Sequence, residues 1–347
     1  MSNPFESFLK AAAGRPLVQA RLVRALRTKS KTDEANALAL ELWRGRGSDP
    51  KAEVLFRQEL SRNVPEWHFR LVHDTVRNDA YEAALKRAVR PGSRVLDIGS
   101  GTGLLALMAA RAGAAHVYTC EMNPAVADAA REIIAANGYS DRITMLPMHS
   151  SKIDAERDLG GKVDVLVSEI VSSDMLSEMV LSVMEDTVPR LLKPGGALIP
   201  ARGVVKVALV HDPAVETARM GRVSGFDLSL FNRLAQPYHG RKANGADLQL
   251  RSEPAELFRF DFAATKTPEA EAACEVVATG GEANAIAQWI HLQMDDEETY
   301  ENPPTTASSW WVRCWPLTAP HELQAGERCV IGGMHDRRQL HLWLETK

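Results

Sequence analysis

The 347-residue sequence predicts a doubly wound parallel α/β sheet, followed by an antiparallel β-barrel or sandwich and preceded by a short helical extension. Three observations predict it. Between about Arg94 and Pro200, short buried-strand runs alternate with helical runs, the spacing of a parallel sheet with crossover helices. Beyond Pro200, stretches alternating apolar and polar residues follow one another with few helices between them. Before residue 60, apolar residues recur instead at helical spacing.

Residues 1–60 read as two or three amphipathic helices, broken at Gly14-Arg15-Pro16 and at Gly45-Arg46-Gly47-Ser48-Asp49-Pro50. From Lys10 to Lys31 the chain is basic and acid-free, as organelle transit peptides are. Leu17, Leu22, Val23 and Leu26 nevertheless form one apolar stripe, and residues 33–43 and 52–60 continue the helical pattern, which favours surface helices. In the α/β part, 95–98 is a buried strand and 104–112 a helix that begins inside a glycine loop. Residues 117–120 form a strand ending at Glu121, and 124–137 a helix with proline in its first turn and Gly138 after its end. Strands at 143–146, 163–167 and 197–199 complete the set, the last after Lys193-Pro194-Gly195-Gly196. Ligands in such sheets bind at the carboxyl ends of the strands, where both Glu121 and Glu169 fall.

Further strands are expected at 204–210, 257–262, 275–277, 287–292, 309–315, 328–331 and 340–344. The connection 223–238 carries Phe226, Leu228, Leu230, Phe231 and Leu234, too many apolar side chains for a solvated loop, and predicts a docked arm.

Composition sets outer limits. Hydrophobic residues at 45% and charged residues at 25% are ordinary for a globular protein. A net charge of −4 argues against a nucleic-acid binder, which needs a basic face. Cys120, Cys274, Cys314 and Cys329 form no paired-ligand spacing, so no structural zinc or disulfide framework is expected, and a reducing cytoplasm is the expected location. No apolar run reaches the roughly 18 residues of a membrane span. His211, His239 and His321 fall in connections without partners at ligand spacing, so no metal site is expected.

The chemistry sits at two places. Asp97-Ile98-Gly99-Ser100-Gly101-Thr102-Gly103 is a glycine-rich loop whose missing Cβ atoms let backbone lie against a ligand. Its spacing is GxGxG rather than the GxGxxG of dinucleotide sites, and Glu121 at the end of the next strand suits two ribose hydroxyls while repelling a 2′-phosphate. Together these favour S-adenosyl-L-methionine over NAD. Nine residues apart after the 163–168 run stand Glu169 and Glu178, a pair suited to a cationic substrate; the competing expectation puts Glu178 on the solvent face of a helix 174–191.

Taken in order, residues 95–103, Glu121, Ser168-Glu169 … Glu178 and 192–200 resemble the successive motifs of the protein arginine N-methyltransferases. The resemblance covers roughly residues 64–347, including Trp67-His68-Phe69-Arg70-Leu71-Val72-His73-Asp74-Thr75-Val76-Arg77-Asn78, and leaves 1–60 outside. After the helical extension read from periodicity at 1–60, it implies a Rossmann-like cofactor domain at 61–200, and a β-barrel substrate domain at 201–347 with a dimerisation arm at 223–238, hence a homodimer. It implies that the helix beginning at Trp67 closes over the cofactor, with Arg77 on the methionine carboxylate and His68 lining that pocket. Asp97, Gly99, Gly101 and Gly103 supply the cradle, Glu121 holds the ribose, and Met148, His149 and Ser150 lie near the adenine. The run Arg77-Asn78 … Tyr81 is more similar to the monomethylating, type III branch, and to its bacterial members.

Within the resemblance, Glu169 and Glu178 become a clamp on the substrate arginine of a protein or peptide. A guanidinium with a pKa above about 12 is a poor nucleophile because its lone pairs are delocalised. Two carboxylates draw the charge toward some of its nitrogens, leave one Nη aimed at the methyl carbon, and offset repulsion from the sulfonium. Asp74 matches a family aspartate that pairs with the histidine of a Thr-His-Trp loop. Here the loop reads Ser309-Trp310-Trp311-Val312-Arg313, with tryptophan or, by a one-residue shift, serine at the histidine position. Arg313 is therefore expected to pair with Asp74 or with a loop glutamate. The rival readings are a methyltransferase for a different nucleophile, a non-catalytic cofactor-binding partner protein, and a nicotinamide oxidoreductase.

Overall fold

A computed structural model describes residues 11–62, 64–242 and 248–345; the first ten residues of the expected extension lie outside the described residues. The helices Pro16–Thr28, Thr32–Arg44 and Pro50–Ser61 pack through Val23, Leu26, Ala35, Leu38 and Ala39 on one side and Ala20, Ala52 and Phe56 on another. Asp49 caps the third of them by accepting from Lys51 N, and the buried Glu59 is paired by Arg24 at 2.6 Å and Arg62 at 3.0 Å. The short helix Trp67–Leu71 follows, and then Thr75–Ala88.

Five parallel strands come next: β1 (Arg94–Ile98), β2 (His116–Cys120), β3 (Ile143–Leu146), β4 (Val163–Ser168) and β5 (Leu192–Ile199). Their order is β3-β2-β1-β4-β5. The chain winds outward from β1 through β2 to β3, then returns to place β4 on the other side of β1. The switch point therefore lies between β1 and β4, where a ligand crevice is expected in an open sheet. Val95, Leu96, Val165, Leu166 and Val167 are buried, and the apolar faces of helices Leu104–Arg111, Pro124–Ala136 and Val180–Leu191 join the same core.

The antiparallel part comprises β6 (Arg202–His211), β7 (Arg222–Val223), β8 (Phe226–Asp227), β9 (His239–Lys242), β10 (Gln249–Leu250), β11 (Ala255–Asp261), β12 (Ala270–Val277), β13 (Gly281–Gln293), β14 (Thr299–Glu301), β15 (Trp311–Leu323), β16 (Arg328–His335) and β17 (Leu340–Leu344). β10-β6-β13-β15-β9 form the main sheet, with β11 on β6 and β14 on β13, and β12-β16-β17 form a second. Alternation divides β13 cleanly: Ile286 and Ile290 face the large core shared with the parallel sheet, whereas Ala285, Ala287 and Trp289 face a smaller core with Val312 and Cys314. Phe258 and Phe260 meet His335 edge-on at 4.8 and 5.2 Å, joining the two sheets.

The two halves are also cross-linked by polar contacts. Arg87 Nε lies 2.8 Å from Asp295, Glu185 accepts from Thr267 N at 2.7 Å and pairs with Arg337, and Gln288 Nε2 donates to Ser173 O at 2.9 Å.

Three sequence expectations need correcting. The helix expected over 174–191 begins only at Val180, because Met175 and Met179 hold positive φ (76° and 66°) and keep residues 169–179 a loop. Strands β7, β8, β9, β10 and β14 escaped the pattern; His239-Gly240-Arg241-Lys242, for one, has no apolar alternation and becomes a strand by pairing with β15. His239, expected to lack a partner, donates from Nε2 to Asp212 Oδ2 at 2.8 Å, beside Cys314. Arg241 Nε, 3.4 Å from the other Asp212 oxygen, already supplies that carboxylate with a positive charge. His211 likewise sits 3.3 Å from Glu282.

The arm folds as the β7–β8 hairpin and a 3-10 turn, Ser229–Leu234, tied at its base by Asn232 bonding both backbone groups of Met220. Phe226, Leu228, Leu230, Phe231 and Leu234 are all exposed, up to 79% for Leu230. No described helix is long and apolar enough to cross a membrane.

Candidate active site

A cavity of about 500 Å³ opens at the carboxyl ends of the parallel strands, a size ordinary for a small-molecule site. Eight of the sequence-predicted residues line it: His68, Arg77, Gly99, Gly101, Glu121, Ser150, Glu169 and Glu178. Met148 and His149 line it as well. Asp74, Asp97 and Gly103 do not belong to the lining.

The loop after β1 needs glycine for steric reasons. Gly99 has φ +83°, and a Cβ there would stand 2.7 Å from Ile170 Cγ2. Gly103, also at φ +83°, faces Ile134 and Ala130 of helix Pro124–Ala136, so its place is in helix packing rather than in the cavity wall. Asp97 is fully buried against its β2 register partner: Thr119 Oγ1 donates to Asp97 Oδ2 at 2.8 Å. Burial pushes its carboxyl up to about 7, and its second oxygen has no partner among the described residues. Asp97 thus sits beneath the loop.

Glu121 is held by backbone, accepting from Asn123 N at 2.8 Å and Gly101 N at 3.2 Å. Burial still raises its carboxyl, because a charged group inside a pocket loses solvation that two amides only partly replace. Such a carboxylate favours a ligand that donates hydrogen bonds to it.

Opposite stands a charge cluster. Arg77 is buried, bonds Asn78 Oδ1 through Nε at 3.2 Å and Nη2 at 2.7 Å, and places Nη1 2.8 Å from Glu169 Oε2. The other Glu169 oxygen is buried without a hydrogen-bond partner among the described residues. Burial pushes Glu169 up to about 7, with Arg77 pulling it down and the charge of Glu178 pushing it up. Glu178 rises to about 7, by burial first and the neighbouring Asp174 second. Two raised carboxyls and an open oxygen in one cavity call for a cation, which would restore both to the ionised form.

The chain's own residues fit S-adenosylmethionine. The cavity offers an arginine complementary to a carboxylate, a backbone-held glutamate complementary to hydroxyl groups, and a glycine loop without side chains, the groups such a molecule needs.

Asp74 does different work from that expected. It caps helix Thr75–Ala88 by accepting from Arg77 N at 3.1 Å, and it accepts from Tyr300 OH at 2.9 Å, Ser308 Oγ at 3.2 Å and Ser309 N at 3.0 Å. Tyr300 and Ser308, which sequence reasoning missed, are donors to this carboxylate. Trp310 is buried and packs edge-on against Tyr300 at 5.7 Å, while Trp311 is 37% exposed under the Arg70 guanidinium at 5.2 Å. Arg313 pairs with neither Asp74 nor a loop glutamate. Its Nη1 lies 2.8 Å from Asp174, and its guanidinium lies over Tyr238.

Asp174 was also missed. It accepts from Leu176 N at 3.2 Å and Ser177 N at 3.1 Å, and it shapes the loop that carries both glutamates. Its spacing to Ser177 is the legible signal of a side-chain-capped turn.

Comparison with known proteins bears on the fold and the family. A family model described as ribosomal protein L11 methyltransferase (PrmA) matches residues 80–208. Mouse protein arginine N-methyltransferase 9 is 29% identical over 318 residues, covering 79% of this chain but 37% of that longer protein. Among solved structures, the Trypanosoma brucei protein arginine methyltransferase 1 enzyme–prozyme heterotetrameric complex with S-adenosylhomocysteine matches with a TM-score of 0.70 at 25% identity, over 80% of this chain and 93% of that one. An arginine N(omega)-methyltransferase of Streptomyces achromogenes subsp. streptozoticus is 41% identical over 311 residues, covering 87% of this chain and 86% of its own. Identity at that level across nearly the full length of both proteins reflects common descent, and the chain belongs to the protein arginine N-methyltransferase family.

Proposed function

We propose that this chain transfers a methyl group from S-adenosylmethionine to a terminal guanidinium nitrogen of an arginine in a protein or peptide. The observation that carries the reading is that Glu169 and Glu178 line the same cavity as Gly99, Gly101, Glu121 and Arg77. S-adenosylmethionine supplies an electrophilic methyl carbon on a sulfonium. Arg77 holds the carboxylate end, Glu121 the ribose, and His68 and Ser150 the flanks. Glu169 and Glu178 grip the guanidinium, concentrate its positive charge away from one Nη, and align that nitrogen for in-line attack.

In the step the N–C bond forms as the C–S bond breaks, the sulfonium becomes a neutral thioether, and the nitrogen sheds one proton. We assign that proton to Glu178, which lacks the arginine partner that Glu169 has in Arg77.

Asp74 holds the helix bearing Arg77 against the β-domain loop, so it positions the site rather than touching the substrate. A homodimer joined through the 223–238 arm, whose apolar side chains are exposed among the described residues, and a cytoplasmic location complete the reading. Incubation with methyl-labelled donor and a whole lysate, followed by acid hydrolysis and amino-acid analysis, tests it. Label recovered as methylarginine supports it; label on lysine, histidine or a small-molecule oxygen overturns it.

A further inference from the structure

The helical extension contributes side chains to the cofactor cavity. Thr32, Asp33 and Asn36, from the first turns of helix Thr32–Arg44, line the same space as Glu121, Met122 and Asn123. These residues lie outside the stretch that resembles the catalytic motifs, and the walls of an open α/β site normally come from strand-end loops.

The far end of that helix is anchored. Arg44 grips Asp128 through both Nε, at 3.2 Å, and Nη2, and Asp128 is also reached by Arg131 at 3.3 Å. Asp128 belongs to helix Pro124–Ala136, which starts directly after the ribose-side segment 121–123. The thirteen-residue helix Thr32–Arg44, about 20 Å long, therefore runs from this anchor to the cavity rim.

We infer that the N-terminal helices form a third wall of the cofactor site, with Asp33 and Asn36 recognising the adenosine half of the bound nucleoside. The inference rests on the proposed reading of the cavity as an S-adenosylmethionine site. The chemistry suits it: a carboxylate accepts from the exocyclic amine or a ribose hydroxyl, and a carboxamide both donates and accepts, as an adenine edge requires. A ligand that touches the docked helices binds the docked state better than the undocked one. By linkage it must then hold them in place, and anything that loosens them must weaken its binding.

The test uses the full chain and S-adenosylhomocysteine, with affinity measured by titration calorimetry and hydrogen exchange followed over residues 32–44. The account expects slower exchange in that helix on binding. It expects about tenfold weaker binding for the Asp33→Ala/Asn36→Ala double variant. Arg44→Ala, which lies outside the cavity, should weaken binding in the same direction. Glu121→Ala serves as the control. Wild-type affinity retained in both helix variants, with unchanged exchange on binding, would overturn the inference while leaving the cofactor reading intact. Absence of binding by the wild-type chain would instead overturn the cofactor reading itself.

Discussion

At the scale of single residues, the site is a problem of charge. Glu169 and Glu178 ordinarily ionise near pH 4.5, and burial lifts both to about 7. An acid whose folded pKa is raised keeps protons that the unfolded chain releases. Its contribution to stability is therefore fully present below about 4.5 and is lost as pH rises through about 7. Thermal melts of the cofactor-free chain should show this fall between pH 4.5 and 7, and Glu178→Gln should flatten it. Activity runs the other way, because only ionised carboxylates grip a cation. The expected profile of kcat/KM rises up to a pH just above 7 and then levels; a profile flat from pH 5 to 8 would contradict the assignment. The glycine loop, Glu121 and both glutamates were legible in the sequence because backbone access and charge at strand ends are local properties. Tyr300 was not, because its role comes from a contact across 226 residues of chain; Asp174 offered a local turn signal in its spacing to Ser177, but its pairing with Arg313 spans 139 residues.

Among elements, the decisive contact joins the start of helix Thr75–Ala88 to the loop before β15. Asp74 gathers four donors there, two from backbone and two from hydroxyls. Tyr300→Phe removes one bond to a charged group and should cost about 1.5 kcal/mol of stability, read as a lowered denaturation midpoint. Because the same carboxylate caps the helix that presents Arg77, the variant should also weaken S-adenosylhomocysteine binding. A midpoint and affinity both equal to wild type would show that Asp74 is no cross-link. Strands of the parallel sheet were readable from their apolar runs. The start of the helix after Glu178 was misread, since nothing in Met175 or Met179 announces a positive φ; the turn is imposed by Asp174 and the serines bonded to it.

For the molecule as a whole, two sheets of different kind share one core, and the Arg87–Asp295 and Glu185–Arg337 pairs link the α/β part to the antiparallel part. The order of a parallel sheet followed by antiparallel strands was visible because the apolar period changes at Pro200. What the sequence could not show was how the extension at 16–61 docks, since its contacts, the Arg44–Asp128 pair among them, join helices far apart in the chain. The exposed arm bears on assembly. Leu230→Asp together with Phe231→Asp should convert a dimer of the wild-type chain to monomer in light scattering at micromolar concentration. A wild-type chain already monomeric would refute the arm's role.

The central claim is that Glu169 and Glu178 act on the acceptor while the glycine loop and Glu121 hold the donor. Glu178→Gln separates the two most directly, measured as single-turnover methyl transfer to an arginine peptide beside the affinity for S-adenosylhomocysteine. The account predicts transfer slower by about a hundredfold or more with cofactor affinity nearly unchanged. Transfer at the wild-type rate would contradict it.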